Sequence, residues 1–503
     1  MNALRSPDLA AFTAGFAAGE GQVLWRERVA DLDTPVGVFL KLAQGQPNAF
    51  LFESVEGGAA RGRYSAIGLA PDLIWRCRDG KAEINRHALS APHAFQPVDK
   101  PAMESLAEQI AAAQLPLPAG LPPIAAGLFG YLGYDMVRQM EKLPSLKPDV
   151  LGMPDSVMIR PTLIVAFDHV RDTLTLCAPV WPDGHADAQA AWSAAQARLD
   201  EAEAALDRPV PRPAPPADLP PLPEPSSNFA KDDFLAAVEK AKEYIRAGDV
   251  FQVVPSQRFS VPFGLPPLAL YRALRRINPA PFLFYFDFGG FAAVGASPEI
   301  LVRLREGEVT VRPLAGTRPR GATPEQDKAL ERELLADEKE RAEHLMLLDL
   351  GRNDVGRVAE IGTVKVTQSF TIERYSQVMH IASEVRGKIR PGLTALEALS
   401  AGFPAGTLSG APKVRAMEII EELEPSRRGL YAGGVGYFGV DGGMDICIAL
   451  RTALVKDGVM HIQAGCGVVA DSDPLAEYEE TRAKARGLVR AAEEAVRFAA
   501  GRR

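Results

Sequence analysis

Hydrophobic and polar positions change rhythm along this chain, and each change marks an element. In the N-terminal half, short apolar runs such as Ala49–Glu53 and Thr162–Phe167 lie between glycine-rich turns and predict strands. The alanine-rich stretch AQAAWSAAQARLDEAEAAL predicts a helix. Next comes DRPVPRPAPPADLPPLPEPSSN, residues 207–228, with too many prolines for a helix or a central strand; it predicts an extended linker. The expected organisation is therefore an N-terminal domain over 1–206, a linker over 207–228 and a second domain over 229–503. In that second part, Phe234–Arg246 has the spacing of an amphipathic helix, and VFQVVPSQRFSV, GGFAAVGASP, TVKVTQSF and MHIQAGCGVVA read as strands. Helices are predicted at Glu325–Leu350, Thr394–Leu399, Lys413–Leu423 and Pro474–Phe498. Strands and helices in mixed rather than alternating order predict an α+β fold, not a doubly wound parallel sheet.

Composition narrows the function classes. With 503 residues, 47% of them hydrophobic, the chain is long enough for more than one core. A formal net charge of −8 disfavours nucleic acid as the main partner. Cys77, Cys177, Cys447 and Cys466 are too scattered for a CxxC metal site and too few for a disulfide framework. No signal-peptide core and no apolar run of about 18 residues is present, so a soluble, cytoplasmic protein without a membrane partner is expected.

The candidate chemistry is crowded into the second part. Glu340 and Glu343 lie three apart, so a helix puts both carboxylates on one face. Glu477 and Glu480 repeat that spacing behind Asp473, a helix cap, and Pro474 at the first helical position. Converged, the two pairs would form an oxygen-only site suited to magnesium; taken alone, the spacing fits solvated helices better, with Glu480 and Lys484 as a surface ion pair. The glycine-bracketed segments GASPE, LAGTRPRG, FPAGTLSGAPK, YAGGVGYF and QAGCGVVADSDP are turns that let backbone N–H groups approach a carboxylate, and together they point to an anionic ligand.

DEKERAEHLMLLDLGRND, QVMHIASEV, FPAGTLSGAPK and AGCGVVADSDPLAEYEET, in this order and spacing, resemble the chorismate-utilising enzymes over roughly Phe229–Leu488. LFES at Leu51–Ser54 and RYSAIG at Arg63–Gly68 extend the resemblance to the large subunits of anthranilate synthases. It implies largely antiparallel sheets forming a β-sandwich core with helices packed outside. Water-using members carry a lysine base where this chain has Gln252, and aminodeoxychorismate synthases carry a nucleophilic lysine where it has Ala315. Amination by ammonia, which needs no such base, fits both positions. The remaining alternatives are an aminodeoxychorismate synthase or a catalytically silent tryptophan-sensing subunit.

The resemblance also implies roles. Magnesium would sit among Glu340, Glu343, Glu477 and Glu480 against a carboxylate of chorismate. Glu299 would be the general acid, His380 a base or a group positioning the leaving side chain, with Thr407 and Gln252 beside them. Arg451 would clamp the enolpyruvyl carboxylate next to Tyr431, and Gly316, Thr317, Gly465, Gly467 and Lys484 would complete the substrate contacts. Glu53, Ser54, Pro281, Phe282 and Leu283 would form a feedback site for L-tryptophan. Because the chain shows no cysteine nucleophile of an amidotransferase, ammonia is expected from a separate glutaminase subunit in a hetero-oligomer.

Overall fold

Strand residues alternate between two different cores, and that alternation builds the layers. In the computed structural model, which describes residues 6–43, 45–56, 60–144, 147–211, 219–375 and 378–501, every strand pairing is antiparallel. Phe50, Phe129, Phe284 and Tyr437 enter a cluster to which no α-helix contributes a residue. Their neighbours Leu51, Leu283 and Tyr285 face a second cluster, covered by the helices Pro35–Ala43, Ala188–Leu206, Pro267–Ile277 and Pro474–Ala499. Leu128, Leu132, Ile446 and Ile448 face a third, covered by the helices Ala102–Ala112, Glu338–Gly356, Ala395–Gly402 and Lys413–Leu423. Two strand layers thus meet across an aromatic core, with helices on both outer faces. Phe129 stacks on Phe50 at 4.5 Å and on Tyr437 at 5.5 Å between ring centroids. Each such buried ring contributes about 1.5–3 kcal/mol.

The sheet runs through both sides of the proline-rich segment. Ala49–Glu53 pairs with Tyr64–Arg78 on one edge and with Phe282–Asp287 on the other, and Gly127–Leu132 pairs with Gly434–Gly439. Of the expected linker 207–228, residues 212–218 lie outside the described residues, and its end, Ser226–Ser227, is a short strand against Ser256–Pro262. Among the described residues no helix is long and apolar enough to cross a membrane.

Two expectations need correction. The helix expected over Glu325–Leu350 is two helices, Pro324–Ala336 and Glu338–Gly356. Asp337 separates them in extended backbone, and its carboxylate accepts hydrogen bonds from the N–H groups of Lys339 and Glu340, as a helix cap does. The strand expected over VFQVVPSQRFSV breaks at Val254–Pro255, where proline offers no N–H. Gln252–Val253 instead pairs with Gly410–Ala411, and Ser256–Pro262 joins the main sheet. Gly410, at φ 126°, is needed at that crossing because a Cβ there would meet the Gln252 carbonyl oxygen at 2.1 Å.

Candidate active site and effector cavity

Glu338–Gly356 and Pro474–Ala499 carry the two glutamate pairs. Glu340 lies in the first turn set by Asp337 and accepts from Arg318 Nη1 at 2.9 Å. Glu343 accepts from Gln252 Nε2 at 3.0 Å, Glu477 from the Ser472 hydroxyl at 2.7 Å, and Glu480 pairs with Lys484 at 2.7 Å. Burial pushes the Glu343 carboxyl above its ordinary range, and the charges of Glu340 and Glu480 push it further. Glu477 shifts the same way, from burial and then Glu480, and its Oε2 is buried without a hydrogen-bond partner. The two pairs therefore share one field across two helices, although among the described residues no three acidic, histidine or cysteine side chains close to chelating distance. Each carboxylate is held by its own neighbour. A crowded, partly buried set of hard oxygen donors with an orphaned carboxylate oxygen suits a divalent cation such as magnesium.

Glycines let the rest of the site approach. A Cβ on Gly316, which has φ 69°, would lie 3.1 Å from Glu340 Oε2, and one on Gly467 would lie 2.6 Å from Gln252 Nε2. A Cβ on Gly465 would meet the Tyr431 hydroxyl at 2.8 Å, and the Gly465 carbonyl accepts from Lys484 Nζ at 2.9 Å. His380 donates from Nδ1 to the Gly316 carbonyl at 3.0 Å, with the Thr317 hydroxyl 3.1 Å away. Since a carbonyl only accepts, the proton is on Nδ1, and Nε2 is a buried acceptor without a partner. Burial first, then Arg451, lowers the His380 pKa to about 4, so the ring is neutral at pH 7.

Glu299 stands at the start of the strand Ile300–Arg305 and is buried. Its carboxyl accepts from the Leu314 N–H at 3.3 Å. Burial raises its pKa to about 8 against the opposing pull of that N–H, the Thr407 hydroxyl and Arg451. Thr407 neighbours the carboxyl but does not complete a hydrogen bond of good geometry, and its buried Oγ1 has no partner. Burial pulls Arg451 below its ordinary value while Tyr375 and Glu299 draw it back, and among the described residues it has no ion-pair partner. The structure thus assembles a neutral acid, a neutral imidazole and a half-buried cation without an ion-pair partner among the described residues, with Gly316 beside Glu340 and Gln252 bonded to Glu343.

A second cavity, of about 780 Å³, opens between the strand layers. Glu53, Ser54, Pro281, Phe282 and Leu283 all line it. The Glu53 carboxylate, however, is engaged away from the other four: it accepts from the Tyr271 hydroxyl at 2.7 Å and from Arg275 at 2.8 and 2.6 Å. The lining also includes residues that the pattern alone did not single out, Tyr437, Asp445 and Tyr375 among them. Asp445 pairs with Arg303 and Arg305, and its Oδ1 is buried without a partner. Tyr375 donates to Glu373 at 2.7 Å, and its ring lies 5.5 Å from that of His380. Arg318 and Ser472, the partners of Glu340 and Glu477, were also missed, although both stand inside glycine-bracketed segments already marked as anion-facing.

The family model described as chorismate binding enzyme matches residues 48–490. The chain belongs to the chorismate-binding enzyme family. It is 59% identical to anthranilate synthase component 1 of Cereibacter sphaeroides over 488 residues, 97% of this chain and 98% of that one. Against anthranilate synthase component 1 of Thermus thermophilus the identity is 47%, covering 92% and 96%. Among solved structures, anthranilate synthase component I from Streptococcus pneumoniae superposes with a TM-score of 0.75 at 37% identity, covering 85% of this chain and 92% of that one. The menaquinone-specific isochorismate synthase of Escherichia coli, at 19% identity and a TM-score of 0.69, shares the fold of this family across 96% of this chain and 98% of its own.

Proposed function

We propose that the chain is the chorismate-using component of an anthranilate synthase, converting chorismate and ammonia to anthranilate, pyruvate and water in tryptophan biosynthesis. The observation that carries this reading is Glu299, a buried carboxyl whose pKa of about 8 keeps it protonated at neutral pH. A proton donor is what the first step needs, since the C4 hydroxyl must leave as water while ammonia bonds to C2. Gln252, with no basic amine, agrees with a nucleophile that brings its own lone pair.

Arg451, charged and without a carboxylate partner among the described residues, suits a bidentate clamp on the enolpyruvyl carboxylate. Tyr431, Thr317, Gly316, Gly465, Gly467 and Lys484 form the surrounding wall. In the second step the C2 proton is lost and pyruvate departs as the ring aromatises. A pKa of about 4 makes His380 a weak base, and its unpartnered Nε2 can only accept, so it would take the C2 proton or accept from the entering amine, since the enolpyruvyl group offers it no N–H or O–H. Glu340, Glu343, Glu477 and Glu480 would hold magnesium, which would neutralise a substrate carboxylate and polarise the ring.

Burial raises the thiol pKa of all four cysteines, to about 12 in Cys77 and Cys177. None of them is the exposed, low-pKa thiolate that glutamine hydrolysis requires. Ammonia from a separate glutaminase subunit fits that chemistry. L-Tryptophan would occupy the cavity between the strand layers, its indole among Phe52, Phe282 and Tyr437.

Purified protein given chorismate, magnesium and an ammonium salt without glutamine is expected to yield fluorescent anthranilate and an equal amount of pyruvate. Formation of 4-amino-4-deoxychorismate, or no turnover, would overturn the reading.

A further inference from the structure

Two fully buried opposite charges lie behind the candidate active site without belonging to it. The side chains of Arg428 and Glu424 are 1% and 3% exposed and pair at 2.5 Å. Arg428 also donates from Nη1 to the Leu408 carbonyl at 2.7 Å and from Nη2 to the Val254 carbonyl at 2.6 Å. Its guanidinium lies 4.8 Å from the ring centre of Tyr134 and 5.5 Å from that of Tyr431. Glu424 Oε1 accepts from the N–H and the hydroxyl of Ser256, each at 2.8 Å. The Ser256 oxygen in turn accepts from Gln463 Nε2 at 2.8 Å.

Apart from the Tyr134 ring, each spoke ends at or within two residues of a residue of the candidate site. Leu408 follows Thr407, Val254 lies two beyond Gln252, Gln463 lies two before Gly465, and Tyr431 is touched directly. Net stability is a poor explanation for such a pair, because taking two ions out of water costs several kcal/mol each and attraction repays it only in part. A planar guanidinium with fixed donor directions supplies something an apolar core cannot, namely a defined geometry between segments far apart in sequence.

We propose that the Arg428–Glu424 pair is a positioning device for the reaction, fixing Thr407, Gln252, Tyr431 and Gly465 in one frame around the substrate while touching none of it. The inference rests on the chorismate reading above. Parallel assay of the unaltered protein separates the two, since a failure of that protein to turn over chorismate would refute the reading itself.

Arg428→Lys keeps the charge and loses the fork; Glu424→Gln keeps the shape and loses the charge; Ser256→Ala removes one spoke. Thermal unfolding establishes that each variant is folded at the assay temperature, and kcat and KM are then measured at saturating magnesium and ammonium. Arg428→Lys and Glu424→Gln are expected to lose at least about tenfold in kcat/KM while folded, mainly in kcat, as misplacement of reacting groups does. Ser256→Ala is expected to change kcat or KM by about threefold or more with its unfolding midpoint unmoved. A purely structural pair would lower the midpoint and leave the folded fraction with unaltered kinetics. Folded variants within about twofold of the unaltered protein in both constants would overturn the proposal, and should the two charge variants not fold, Ser256→Ala decides it alone.

Discussion

Glu299 shows how one carboxyl acquires a task from its surroundings. Nothing in GASPE gives it an unusual acidity; burial does, raising its pKa to about 8. As the proposed acid of the first step it must carry a proton, so kcat is expected to fall as pH rises past about 8, with little change between pH 6 and 7. Glu299→Gln, which cannot donate a proton, is expected to lose about 10²–10⁴-fold in kcat and the alkaline limb with it, measured as pH profiles of anthranilate formation. Stability moves the same way. The folded form holds a proton that the unfolded carboxyl releases near its ordinary pKa of 4.5, so this contribution is full below that value and is lost as pH rises to about 8. Denaturant titrations of Glu299→Gln should show a flatter pH dependence across that window. An unchanged profile of kcat in the variant would remove Glu299 from the proton-donor role.

At the scale of elements, what was legible depended on whether the signal was local. Lys413–Leu423 begins and ends where its pattern predicts, and Pro474 behind Asp473 opens the last helix as read. The Glu325–Leu350 run hid its break because Asp337 interrupts an even charge pattern without glycine or proline; its capping role is visible only once the chain turns. Spacing placed the glutamate pairs on helix faces and Lys484 beside Glu480, but not the partners of the other three, because Arg318 and Gln252 arrive from other segments and Ser472 reaches Glu477 only through the turn that opens its helix. Likewise Arg428 reads as an ordinary charge in SRRG, and its contacts with Val254 and Leu408 are invisible without the fold. Asp337 yields a prediction at this scale. It caps the helix that carries Glu340 and Glu343 and also pairs with Arg318, which holds Glu340. Asp337→Ala is expected to cost about 1 kcal/mol by thermal or denaturant unfolding. It should also raise the magnesium concentration needed for half-maximal activity, because the first turn is no longer fixed. Unchanged magnesium dependence would disconnect the cap from the glutamates.

Across the whole molecule, the strand Ala49–Glu53 and the strand Phe282–Asp287 are sequence-distant yet adjacent in one sheet, with Leu283 opposite Glu53. Phe282 is opposite Ser297 in the next strand, two residues before Glu299. An occupant of the cavity would press on a surface that leads within one strand register to the proposed acid, and Tyr375 and Pro298, which also line the cavity, are joined by a hydrogen bond from the Tyr375 hydroxyl to the Pro298 carbonyl. Glu53 is the fixed point of this arrangement, because its carboxylate ties the N-terminal strand to Tyr271 and Arg275 on the helix behind. Glu53→Gln keeps the size and some hydrogen bonds but leaves Arg275 without its charge partner, so the strand is held less firmly at the cavity wall. If tryptophan acts by stabilising one placement of these strands, its coupling to the active site should weaken, and couplings of this kind are worth about 1–3 kcal/mol. Chorismate turnover without tryptophan is then expected to stay within about twofold, while the tryptophan concentration for half-inhibition rises by about tenfold or more. Inhibition curves for both proteins at equal chorismate decide it. Equal sensitivity to tryptophan would show that the Glu53 anchor is not part of the coupling, and loss of turnover together with sensitivity would make it a support of the fold instead.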